Sequence, residues 1–190
     1  MSFQYNSPLI LTYFFISLGV LIISKFTKGR FNDLFFTSYR SSLINPLTYI
    51  RFITHSIGHS GWLHFSSNFI YILLLGPMIE EKFGSFNLLI MMLITSAVIG
   101  IVNYIFSSRG ITGSSGIVFM LITLSSAVNI EAGKIPLTLI LVCLFYVISE
   151  VSSMILNFFG SNTSHLSHFV GGICGIVFVF VPIENILALF

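Results

Sequence analysis

The sequence consists of long apolar blocks that contain very few charged residues. One of these blocks, residues 151–183, contains no Asp, Glu, Lys or Arg. Over the whole chain 7% of residues are charged and 55% are hydrophobic, whereas soluble domains carry about 25% charged residues. This deficit excludes an ordinary cytosolic domain and a disordered segment, and the net charge of +2 excludes a basic nucleic-acid binder. The pattern indicates an integral membrane protein in contact with the lipid bilayer.

Charges and turn residues divide the chain into six apolar spans. At about 20 apolar residues per span, the length allows at most about six or seven transmembrane helices. The first block has no Lys or Arg before it, which favours a retained helix over a cleaved signal peptide. The uncharged block 151–183 is divided at residues 160–164, where small and polar residues favour a turn. We expect one all-α membrane domain over residues 1–190, with spans at about residues 8–24, 64–79, 87–106, 115–129, 135–158 and 165–182.

The segments between the spans are not plain linkers. Residues 26–61 are too polar to cross a bilayer and rich in Phe and Tyr, so we expect a folded loop lying partly in the membrane interface. The second span is predicted to end at a charged turn formed by Glu80, Glu81 and Lys82, followed by Gly84. The fourth span is short, so irregular backbone is expected before it, in residues 107–114. Irregular backbone at membrane depth is tolerated around a cavity, and it therefore indicates a site.

Polar residues stand at the N-terminal ends of spans two, four and six. Because consecutive spans alternate in direction, these three ends lie on the same side of the membrane. They carry His64 and Asn68, which share one helix face, together with Ser115 and His168. Each residue alone is compatible with a structural polar contact. Together they supply a nucleophile, a base and donors for an oxyanion hole, which favours a serine hydrolase.

A zinc site is an alternative for the loop histidines. His55 and His59 are four residues apart and could share a metal ion. A zinc hydrolase of the HExxH type needs a Glu beside them, and Ser56 and Ser60 stand there instead. We therefore expect no metal and no cofactor.

Four motifs occur in order along the chain. The segment RFITHSIGHSGWLHFSSN is followed by GPMIEEKFGS, then by GSSG and HFVGGICG. With this order and spacing, the region from Arg51 to about Gly175 resembles the rhomboid intramembrane serine proteases, whose patterns include GxSG and HxxGxxxG. The resemblance implies a six-span rhomboid-like bundle with a long interfacial loop between its first two transmembrane helices.

The resemblance also implies roles for individual residues. Ser115 would be the nucleophile and His168 its base, in a dyad without an acidic member. His64, Asn68 and the backbone N–H of Ser115 would form the oxyanion hole. Structural roles are implied for Arg51, His55, His59, Glu80, Gly113, Gly116, Gly171 and Gly175.

Two positions depart from the family pattern. Ile50 stands where the family often has Trp, which we expect to loosen the loop. Phe119 stands where a Tyr often stacks on the catalytic histidine. Because Phe keeps the aromatic face and loses only the hydroxyl, we expect the stacking to persist.

The implied activity is hydrolysis of peptide bonds within or beside the transmembrane segments of membrane-protein substrates, by a multi-pass protein of the cell membrane. The fifth span and residues 160–164 would form a lateral gate. The count of Lys and Arg would place the long loop in the cytoplasm, whereas the resemblance places loop and site outside, and we adopt the latter orientation.

Two other function classes compete with a protease. A small transporter or channel would use the polar residues as a pathway, but they gather at one end of the spans instead of forming a relay. A non-catalytic scaffold that binds membrane proteins would be supported by loss of the serine or the histidine, and both are present.

Overall fold

The computed structural model describes residues 5–127, residues 165–181, and residues 137, 138, 140, 141, 144, 145, 148 and 183. The predicted fifth span and the gate assigned to it lie outside the described residues, apart from those few positions. The described helices are α1 (Pro8–Phe26), α2 (Arg30–Phe35), α3 (Pro46–Thr54), α4 (Trp62–Phe83), α5 (Ser85–Phe106), α6 (Ser115–Ala127) and α7 (His165–Phe180).

Three of these helices, α1, α4 and α5, are long and apolar enough to cross a membrane. They contain 19, 22 and 22 residues, with mean hydropathy values of 2.1, 1.3 and 2.3. At about 1.5 Å per residue, such helices match a hydrocarbon core about 30 Å thick. The shorter helices α6 and α7 have 13 and 16 residues. The all-α prediction is confirmed for the described part of the chain, and the six-span bundle stays a prediction.

The predicted charged turn after the second span is wrong. Helix α4 continues through Glu80 to Phe83, and Gly84 follows its last residue. The Glu80 carboxylate is buried and accepts hydrogen bonds from the backbone N–H groups of Leu9 and Ile10, at 2.9 and 3.1 Å. These N–H groups belong to the first turn of α1, where no helical acceptor exists and negative charge is favoured. Glu80 therefore connects α4 to the start of α1 and does not terminate α4.

The segment between α1 and α4 is folded, and Arg51 is its centre. The Arg51 side chain is 2% exposed, and its Nε donates to the carbonyl of Leu34 at 2.7 Å. Its guanidinium carbon lies 4.5 Å from the ring centroid of Tyr39. One arginine therefore joins α3 to the end of α2 and to the chain that follows α2.

Two contacts attach this folded segment to the chain around α5. Ser38 and Ile111 exchange two backbone hydrogen bonds, at 2.9 and 2.8 Å, in an isolated antiparallel bridge. Arg40 donates to the carbonyls of Tyr104 and Ile105, at 3.1 and 2.7 Å. The last carbonyls of a helix receive no hydrogen bond from an N–H group of that helix. This arginine therefore donates to two carbonyls that would otherwise lack a partner at the end of α5. The bridge holds the chain just before Ser115.

The apolar core lies between α1, α4, α5, α6 and α7. Outside this core, a small residue also brings α5 close to α3, as small residues commonly do between helices of membrane proteins. A side chain at Gly100 of α5 would place its Cβ 2.5 Å from the Cα atom of Phe52 in α3. The most deeply buried core side chains include Ile10, Leu21, Phe69, Ile72, Leu88, Met91, Met120, Leu121 and Leu124.

Candidate active site

One cavity of about 1050 Å³ lies where the N-terminal ends of α4, α6 and α7 meet. All four predicted reactive residues line it: His64, Asn68, Ser115 and His168. They come from three helices, and the most distant pair in the sequence, His64 and His168, is about a hundred residues apart. The structure therefore brings together the polar residues that alternation of the spans had placed on one side of the membrane.

The turn that precedes α6 depends on Gly113. Its φ is +120°, and its N–H donates to the carbonyl of His55 at 2.8 Å. A Cβ at this position would lie 2.5 Å from Cε1 and 2.6 Å from Nε2 of His64. Only glycine fits this backbone and leaves room for the imidazole. The His64 ring therefore lies directly against the backbone that leads into Ser115.

The two serines of GSSG face different surroundings. Ser115 is half-buried, begins α6 and lines the cavity. Ser114 is fully buried, and its Oγ lies 3.1 Å from Nε2 of His59. The first N–H groups of a helix lack acceptors within that helix. Ser115 thus combines access to the cavity with a helix N-terminus, whereas Ser114 is held inside the protein.

His168 faces the same cavity from α7. Its ring centroid lies 4.6 Å from that of Phe119, with 36° between the ring planes. Phe119 therefore keeps the aromatic contact expected at the position where the family often has Tyr. The His165 ring lies 6.5 Å away at 84°. Of these two described histidines, His168 is the one that lines the cavity.

Asn68 and His64 of α4 present hydrogen-bonding groups to the cavity. Asn68 is 6% exposed, and its Nδ2 has no hydrogen-bond partner among the described residues. A buried donor without an acceptor costs about 1–3 kcal/mol, so such a group needs an explanation. His64 Nδ1 lies 3.1 Å from Oγ of Ser60. Asn68 and His64 can therefore offer donors to a bound group.

The remaining loop histidines are engaged with the protein. His55 Nε2 donates to the carbonyl of Ser96 in α5, at 3.0 Å. Burial lowers the pKa of His55 to about 4 and the pKa of His59 to about 3. Both rings are therefore neutral at pH 7 and face different elements. In the described ranges, no three His, Cys, Asp or Glu side chains form a group able to hold a metal ion.

Helices α6 and α7 approach each other through glycines. A Cβ on Gly171 would overlap the carbonyl oxygen of Gly116 and lie 2.9 Å from its Cα. A Cβ on Gly175 would lie 2.6 Å from the carbonyl oxygen of Met120. Small residues allow such backbone contact between membrane helices. The contact sets the spacing between the helices that carry Ser115 and His168.

Comparison with known proteins identifies the family. Residues 46–185 match the family model of the Rhomboid domain, which is well over half of the chain. The chain belongs to the rhomboid family. Together with its long apolar helices, this membership establishes an integral membrane protein.

Two relatives show how far the similarity extends. The chain is 25% identical over 179 residues to Rhomboid-like protein 11, chloroplastic, of Arabidopsis thaliana, covering 87% of this chain and 62% of that protein. It is 28% identical over 137 residues to Rhomboid protease GlpG of Haemophilus influenzae, covering 69% of this chain and 68% of GlpG. The chain thus spans less than two thirds of the Arabidopsis relative.

Sequence reasoning missed several residues that hold the site. Asn103 of α5 donates to the carbonyl of Arg109 at 3.0 Å and so anchors the segment before Ser115. Tyr13 of α1 donates to the carbonyl of Ser56 at 2.6 Å. A polar residue inside an apolar block was the available signal for Asn103, but the sequence does not identify its acceptor.

Proposed function

We propose that this chain is an intramembrane serine endopeptidase that cleaves the transmembrane segments of membrane-protein substrates through a Ser-His dyad. The observation that carries the proposal is the cavity shared by Ser115, His168, His64 and Asn68. Its nucleophile, base and oxyanion donors come from separate helices. These groups are the ones that acyl transfer by a serine hydrolase requires.

The first chemical step forms an acyl-enzyme. Ser115 Oγ attacks the scissile carbonyl carbon while His168 accepts the hydroxyl proton. The carbonyl π electrons move to oxygen, giving a tetrahedral oxyanion. When this intermediate collapses, the C–N bond breaks and His168 donates its proton to the leaving amine. The second step reverses these roles, since water attacks the ester, His168 takes its proton, and Ser115 recovers its hydrogen.

The oxyanion requires donors that are already in place. The unpartnered Asn68 Nδ2 supports this role, because a developing negative charge gives a buried donor its missing acceptor. His64 supplies a second donor. In the tautomer whose Nδ1 accepts a hydrogen bond from the Ser60 hydroxyl, Nε2 carries the ring hydrogen and can donate it to the oxyanion. The N–H of Ser115 at the start of α6 is the third donor.

The substrate is a transmembrane segment that must unwind locally. In an intact helix the scissile carbonyl is already hydrogen-bonded and shielded, so Ser115 cannot reach it. Residues with low helix propensity, such as Gly and Pro, should therefore favour cleavage nearby. The half-buried Ser115 lines a cavity that also holds polar groups such as His64 and Asn68, which gives water and an extended peptide access together.

An activity-based fluorophosphonate probe tests the proposal on purified protein. We expect covalent labelling of the wild type and cleavage of a model transmembrane substrate, both absent in Ser115→Ala. Ser125→Ala is a matched control, because Ser125 lies on the same helix and its hydroxyl donates to the carbonyl of Ile122. A wild-type protein that neither labels nor cleaves, yet binds membrane proteins, would support the non-catalytic scaffold instead.

Residence in the cell membrane is part of the same proposal. The Arabidopsis relative is chloroplastic by name, so the membrane of residence has to be measured for this chain. Fractionation of native membranes, followed by detection of the protein in the cell-membrane fraction, provides that measurement.

A further inference from the structure

A buried hydrogen bond lies beside the proposed nucleophile. Ser114 Oγ and His59 Nε2 are 3.1 Å apart, and both residues are at most 1% exposed. The other ring nitrogen of His59, Nδ1, is 3.1 Å from the carbonyl oxygen of Ile57. A carbonyl can only accept, so Nδ1 carries the ring hydrogen in neutral His59. Nε2 must then accept, and Ser114 is the donor.

The acceptor in this bond is held rigidly. The His59 ring packs against Phe65 and Phe69, with centroid distances of 5.3 and 5.7 Å. Burial is the main cause that lowers the pKa of His59 to about 3, with a smaller contribution from His64. The ring therefore remains neutral, and Nε2 remains an acceptor, throughout the physiological pH range.

The same His59 ring also contacts the proposed oxyanion hole. Its centroid lies 5.2 Å from that of His64, in an edge-on arrangement at 68°. Tyr13 of α1 packs against Phe69, as the His59 ring does, and donates to the Ser56 carbonyl at 2.6 Å. His59 thus joins the residue next to Ser115 to one of the proposed oxyanion donors.

We propose that Ser114 and His59 are positioning residues that set Ser115 and His64 at their working separation. This inference rests on the proposed protease function. The hydrogen bond holds Ser114 by its side chain, and one peptide unit connects Ser114 to Ser115. Loss of the bond frees this short turn to rotate, and a shift of about 1 Å in a reacting group can cost about 100-fold in rate.

Replacement of Ser114 by Ala tests the positioning role. We expect Ser114→Ala to fold and to take up fluorophosphonate to full stoichiometry, but about 10-fold to 100-fold more slowly than the wild type. For substrate cleavage, kcat should fall by a similar factor while KM changes little. Ser17→Ala is the matched control, because Ser17 is a fully buried serine of α1 whose Oγ has no partner among the described residues. It should retain the wild-type labelling rate.

A double variant separates positioning from general stability. If the two residues act as one unit, Ser114→Ala/His59→Phe should label no more slowly than the slower single variant. Ser114→Thr, which keeps the hydroxyl, should recover most of the labelling rate. Wild-type kinetics in folded Ser114→Ala would overturn the inference, and so would additive losses in the double variant. If Ser114→Ala does not fold, the comparison of His59→Gln with His59→Phe decides, since only Gln retains an acceptor.

Failure of the protease proposal gives a different result. In that case the wild type takes up no more label than Ser115→Ala, and the positioning role falls with it. If the wild type labels and Ser114→Ala labels equally fast, the protease proposal stands and only the positioning role is wrong. The two failures are therefore distinguished by the wild-type measurement alone.

Discussion

Gly171 of α7 lies against the backbone of Gly116 in α6, at a separation that leaves no room for a methyl group. A Cβ on Gly171 would lie 2.8 Å from the carbonyl carbon of Gly116. Backbone atoms cannot move aside as a flexible side chain can. The two helices that carry Ser115 and His168 are therefore spaced by this pair of glycines.

Substitution at this contact should separate the helices. We expect Gly171→Ala to lower the unfolding midpoint and abolish most activity, because overpacking typically costs about 1–3 kcal/mol. Gly19→Ala is the control, since a Cβ there meets nothing within 4 Å. It should be neutral or slightly stabilising, because Ala favours helix over Gly. Thermal unfolding in detergent measures both variants, and equal midpoints would contradict the backbone contact.

Glu80 should contribute strongly to stability. Its two carboxylate oxygens accept from the N–H groups of Leu9 and Ile10, and Oε1 also accepts from the Ser85 hydroxyl at 2.7 Å. Glu80→Gln places an amide NH₂ against a donor, so we expect a loss of about 2–3 kcal/mol in the free energy of unfolding. Glu81→Gln, at an exposed neighbouring position, should change stability little. Equal effects of the two substitutions would show that the hydrogen bonds from the start of α1 to Glu80 contribute little to stability.

The proposed oxyanion hole predicts graded losses of turnover. Removing one donor from such a hole typically costs about 10²–10³ in kcat, because the other donors remain. We expect this loss for Asn68→Ala and for His64→Ala, with both variants folded. Steady-state cleavage of a transmembrane substrate provides the measurement. Full activity in both single variants and in the double variant would mean that the oxyanion lies elsewhere.

The two histidines of α7 should differ in function. His168 lines the cavity and stacks on Phe119, whereas His165 lies one turn earlier with its ring 6.5 Å away. We expect His168→Ala to be inactive and His165→Ala to retain substantial activity. Substrate cleavage and fluorophosphonate labelling should agree on this order. The reverse order would overturn the assignment of the base.

Acidification should destabilise the protein through its buried histidines. The pKa of His55 is about 4 in the folded protein, against an ordinary value of 6.5. Between these two values the unfolded chain binds more protons than the folded one, so stability falls as pH falls from 6.5 towards 4. The slope is about 1.4 kcal/mol per pH unit for one histidine. His55→Gln should show a flatter pH profile of unfolding, and an unchanged slope would contradict the contribution of His55.

The sequence by itself determined the helical membrane class and the residues to examine. Long apolar blocks without charges are suited to crossing a bilayer as helices, because a helix satisfies every backbone polar group within its own segment. Alternation of the spans then placed His64, Ser115 and His168 on one side. These inferences need only local composition and chain direction, and the cavity that the three residues share agrees with them.

Only the tertiary structure decided how individual polar groups are used. A charged triplet that resembles a turn is helical, because Glu80 meets the N-terminus of α1, about seventy residues earlier in the chain. Ser114 and Ser115 are adjacent and chemically identical, yet one meets His59 inside the protein and the other faces the cavity. Local patterns report the average surroundings of a segment. The partner of a single buried donor or acceptor depends on distances between remote segments, which only the assembled helices determine.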